Sequence, residues 1–78
     1  MSDLATTEIA NLLADLLTGA AGGTRERWLE LIGPVKTLPI ATNIHCNWSV
    51  SPIATGEELV AIGKAVEVVR GVEPYVEG

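Results

Sequence analysis

The chain has 78 residues, with 10 acidic against 5 basic side chains and a net charge of −5. Its composition, 47% apolar and 19% charged, is that of a globular protein and excludes a disordered tail. The acidic balance argues against a nucleic-acid partner, since such proteins gain affinity by neutralising phosphates, and the single cysteine, Cys46, excludes an intrachain disulfide framework or a multi-thiolate metal site.

A single domain over 1–78 is expected. A chain of this size buries only about 60% of its unfolded surface, and small scaffolds are usually held by disulfides, a metal or self-association. Self-association is the device left open here. No stretch approaches the roughly 18 apolar residues that cross a bilayer, so no membrane partner is expected. The start, Met1-Ser2-Asp3, lacks the basic and apolar regions of a secretory signal. The expected location is cytoplasmic, where the sequon Asn47-Trp48-Ser49 has no glycosylation role.

In chain order, 3–18 reads as an amphipathic helix. Ile9, Leu12, Leu13, Leu16 and Leu17 recur at helical spacing, Ser2 or Asp3 can cap the start, and Gly19 is the expected stop. Residues 19–23 form a glycine-rich turn. Thr24 then reads as the cap of a short helix over 25–32, closed by Gly33-Pro34.

Over 37–50 the apolar residues Leu38, Ile40, Ile44, Cys46, Trp48 and Val50 share one parity. Thr37, Asn43, His45, Asn47 and Ser49 fall on the other, which is the pattern of a strand with one buried and one polar face. A straight strand of that length would span about 46 Å, against about 30 Å for a compact chain of this size. Three arrangements resolve the conflict: a bend near Asn43, pairing with the C-terminal tail, or pairing with the same strand of a second copy. A tight hairpin favours Asn-Gly, and no glycine lies between 34 and 55. Pairing across a homodimer is therefore the expectation.

Thr55-Gly56-Glu57-Glu58 has the spacing of a capping box, and a helix over 56–70 follows, with Leu59, Ile62, Val66 and Val69 on one stripe. Gly71 is its expected stop, and 71–78 reads as a short tail. The fold class is thus α+β: helix, short helix, extended strand region, helix.

The candidate chemistry is sparse. His45 and Cys46 are neighbours on a strand and would point to opposite faces, so they do not make a nucleophile–base pair. One histidine and one cysteine make no metal set, and no metal or cofactor is expected. Glu57 and Glu58 are explained by a helix start, and Glu26 and Glu30 by a solvated face. Gly22, Gly23 and Thr24 lead into a helix N-terminus beside Arg25 and Arg27, which makes them candidate contacts for an anion. Asn43, His45 and Asn47 are candidate contacts for a polar ligand.

The same glycine run resembles the double-glycine leader of exported bacterial peptides, with Gly22-Gly23 at the cut and Leu12 and Leu17 at its apolar positions. The resemblance covers the first 23 residues and implies cleavage of the first helix. Ala20 stands where the pattern has a larger apolar residue, and Leu16 where it has an acid.

The favoured function is a non-enzymatic protein–protein interaction or regulatory module, homodimeric through Leu38, Ile40, Ile44, Trp48, Leu59, Ile62, Val66 and Val69. The alternative is a small-ligand or anion-binding protein that uses the glycine-rich loop.

Overall fold

A computed structural model of the chain describes residues 4–76. Its elements are three helices, α1 (Thr6–Ala21), α2 (Arg25–Ile32) and α3 (Gly56–Val72), and a two-stranded antiparallel sheet of β1 (Lys36–Thr37) and β2 (Trp48–Ser49). This is a small α+β domain, 35 × 23 × 18 Å. None of the described helices is long and apolar enough to cross a membrane.

Helix α1 forms because Ile9, Leu13 and Leu17, one turn apart, bury a continuous stripe with Ala14. Each such Leu or Ile contributes about 1.5–3 kcal/mol when fully buried. The expected caps at Ser2 and Asp3 lie outside the described residues. The observed N-cap is Ala5, whose N–H donates to the Glu8 carboxylate at 3.1 Å.

At the other end Gly19 does not stop the helix, because Ala20 and Ala21 favour it and carry it on to Gly22. Gly22 has φ 80° and ψ −167°, a region open almost only to glycine. Gly22→Ala should therefore lower stability by about 1–3 kcal/mol through backbone strain alone, since an added Cβ would meet nothing within 4 Å. Gly19→Ala, inside the helix and equally unobstructed, should raise stability by about 0.5–1 kcal/mol. Denaturant midpoints that move in the same direction for both variants would refute this account.

Thr24 caps α2 by accepting the N–H of Arg27 at 3.3 Å, and Trp28 and Ile32, one turn apart, face the core. The Trp28 indole N–H donates to the Gly22 carbonyl at 2.7 Å, which fixes the α1–α2 turn. Helix α1 packs against both α2 and α3.

The 37–50 segment departs from the single-strand expectation. It folds back and pairs within the chain, Lys36 opposite Ser49 and Thr37 opposite Trp48, with Leu38 N–H donating to the Asn47 carbonyl at 2.7 Å. The reversal needs no glycine: Thr42 and Asn43 donate backbone N–H groups to Pro39 and Ile40, the Asn43 amide caps the Pro39 carbonyl at 2.9 Å, and no described non-glycine residue has positive φ. A broad turned loop replaces the tight hairpin that glycine would have served. The parity breaks with it. Ile40 and Ile44 sit in the loop and are 55% and 63% exposed, whereas Asn47, expected on the polar face, is buried. Pairing across a second copy is not part of what the structure shows.

The tail docks as well. Asn47 exchanges two side-chain hydrogen bonds with the backbone of Val76, Trp48 N–H donates to the Glu73 carbonyl at 2.8 Å, and the Tyr75 hydroxyl donates to the Ile44 carbonyl. Val76 also bridges Leu4 in parallel.

Helix α3 differs at both ends. Thr55 makes no side-chain cap bond, the Glu58 carboxylate faces Arg27 of α2 at 3.5 Å, and the helix passes Gly71 to end at Val72, with Glu73 as its cap. Its inner stripe is Ile62, Ala65, Val66 and Val69.

Candidate interaction surface

The residues expected at a shared surface divide into two sets. Trp48, Ile62, Val66 and Val69 are buried in the chain's own core, so they hold this fold together and have no surface to offer a partner. Leu59 is 44% exposed, Ile40 and Ile44 lie on the loop, and Leu38 is half-buried.

A different apolar surface lies between α1 and α3. The two helices run antiparallel along it, with Ala20 near Val60 at one end and Leu12 near Val72 at the other. A groove of about 350 Å³ between Leu16, Ala20, Val60, Lys64 and Val68 continues into a second of about 190 Å³ between Leu12, Leu16, Val68 and Val72. Leu12, Val60, Val68 and Val72 are exposed despite their size. The sequence pattern places Leu12 on the apolar stripe of α1 and Val60 and Val68 beyond that of α3, without showing that the two helices bring them together. The signal was present in α3, which carries Val60 opposite the Ile62, Val66 and Val69 stripe and Val68 and Val72 on its flank.

Gly22, Gly23, Thr24 and Arg27 line one hollow, to which Arg25 does not contribute, and the charges of the loop are paired. Arg25 Nε lies 2.7 Å from Asp15 Oδ1, and Arg27 faces Glu58. The hollow of about 260 Å³ beside Gly22, Gly23, Thr24 and Arg27 is shared with Glu57 and Glu58. An anion entering it would face two carboxylates.

No protein family, curated protein or solved structure matches this chain.

The polar residues of the loop do not form one stripe. Asn43 is turned onto the Pro39 carbonyl, and the Asn47 amide is committed to Val76. His45 is exposed beside a hollow of about 350 Å³ that Arg70 also lines. The Arg70 guanidinium stacks over the Trp48 ring, 5.6 Å from its centroid. The Cys46 thiol donates to the Trp48 carbonyl at 3.4 Å. Among the described residues no group of three or more His, Cys, Asp or Glu side chains could hold a metal.

Proposed function

We propose that the chain is a non-enzymatic protein–protein interaction module, of regulatory or accessory kind, that works as a homodimer. One observation carries the reading: Leu12, Val60, Val68 and Val72 are 40–71% exposed and lie together along the α1–α3 grooves. Scattered exposed apolar residues are ordinary, whereas a contiguous set marks an interaction site. A second copy is the simplest cover, because it adds apolar burial to a domain too small to build a large core alone. The Cys46 thiol, engaged by a carbonyl rather than by His45, supports a non-enzymatic role.

Light scattering across a dilution series tests the reading. A dimer should dissociate towards 8.2 kDa on dilution. Val60→Glu should weaken it by about tenfold or more, since a charge buried at an apolar interface is strongly penalised. Its helicity should not change, because Val60 is 58% exposed in the chain itself. A constant mass of 8.2 kDa at every concentration would overturn the homodimer.

A further inference from the structure

The outer face of α3 is complementary to itself when reversed. With Ile62, Ala65, Val66 and Val69 turned inward, the opposite side presents Val60, Lys64, Glu67 and Gly71, all exposed and spaced four, three and four apart. That is the spacing of a helix–helix seam. Neither Lys64 nor Glu67 has an intrachain partner among the described residues, whose ion pairs are Arg25–Asp15 and Arg27–Glu58. A second copy laid antiparallel, with the two-fold axis passing between positions 65 and 66, sets Lys64 against the partner's Glu67 and Glu67 against the partner's Lys64. The same axis sets Val60 against the partner's Gly71, with Val72 beside the partner's Val60. Gly71 leaves that space open, since a Cβ there would meet nothing within 4 Å in the chain itself. Parallel packing in register would instead oppose lysine with lysine and glutamate with glutamate, which is repulsive.

We propose that the homodimer forms through antiparallel pairing of α3 with α3 of a second copy, its register set by two reciprocal Lys64–Glu67 ion pairs. The occupant of the exposed face is then a second copy of this chain, and the interface is isologous: each contact occurs twice about the axis. The proposal rests on the homodimer reading above, narrows its apolar surface to Val60 and Val72 on α3, and adds direction and register. Exposed ion pairs contribute little affinity singly, but opposed like charges discriminate strongly between registers.

Charge exchange tests it. Lys64→Glu and Glu67→Lys should each weaken the dimer about tenfold, because two attractive pairs become two repulsive ones. Both side chains are exposed, so helicity should be unchanged in each variant. The double variant K64E/E67K should recover dimerisation. An equimolar mixture of the two single variants should form a heterodimer in preference to either homodimer, because every seam pair is again opposite in sign. A wild-type dimer that is insensitive to both single changes, or is not restored by the double change and the mixture, would overturn the α3 register while leaving the homodimer standing. A wild-type chain that stays monomeric at every concentration would overturn both.

Discussion

Trp48→Ala should remove a large share of the stability of this domain. The side chain is fully buried, its N–H donates to the Glu73 carbonyl at 2.8 Å, and its ring lies under the Arg70 guanidinium. It therefore joins the end of the sheet to the end of α3. Truncation of a buried tryptophan costs about 3–5 kcal/mol, and a whole domain commands only about 5–15 kcal/mol. Urea unfolding followed by far-ultraviolet circular dichroism reads the loss without relying on tryptophan emission. Trp48→Phe should keep most of the packing and lose the hydrogen bond, at about 1–3 kcal/mol for the Glu73 carbonyl left without its partner. A Trp48→Ala midpoint close to that of the wild type would show that the two halves of the fold are joined elsewhere.

The helices were legible because their signal is local. Ile9, Leu13 and Leu17 declare a buried face within three turns, as do Ile62, Val66 and Val69, and Thr24 marks the start of α2 with its own hydroxyl. The helix ends were less so: glycine at 19 and at 71 tolerates a helix as well as a stop, and alanines at 20 and 21 decide in favour of helix. The 37–50 segment misled for a physical reason. A period of two is necessary for a half-buried strand but does not establish one, and Ile40 and Ile44 keep the parity while sitting in a turned loop. The length conflict was real and is settled by reversal within a molecule 35 Å in its longest dimension. Asn47 could not be read as buried from sequence, since its partner lies 29 residues away in the tail. The apolar surface between α1 and α3 was half-legible, because Val60 and Val68 stood outside the inner stripe but nothing local said which face would be covered.

Asn47 carries the second large effect, and it acts through the tail. The side chain is 6% exposed. Its Nδ2 donates to the Val76 carbonyl at 3.0 Å, its Oδ1 accepts the Val76 N–H at 2.7 Å, and its own backbone N–H donates to the Pro74 carbonyl at 3.0 Å. The carboxamide thus serves Val76 as a neighbouring strand would, and no other side-chain type of its size offers a donor and an acceptor in that arrangement. Asn47→Ala leaves two buried backbone groups without partners, each worth about 1–3 kcal/mol, so a loss of about 2–6 kcal/mol is expected. Asn47→Asp keeps an acceptor for the Val76 N–H but turns a carboxylate oxygen towards the Val76 carbonyl, and it should rescue little. The decisive comparison is a double-mutant cycle with a chain ended at Glu73. If Asn47 stabilises the fold by holding the tail, then Asn47→Ala should cost far less once the tail is gone, because the groups it would orphan are no longer there. Additive losses would mean that the amide supports the 39–46 loop instead, and that the tail docks through Trp48, Tyr75 and the Leu4–Val76 bridge without it.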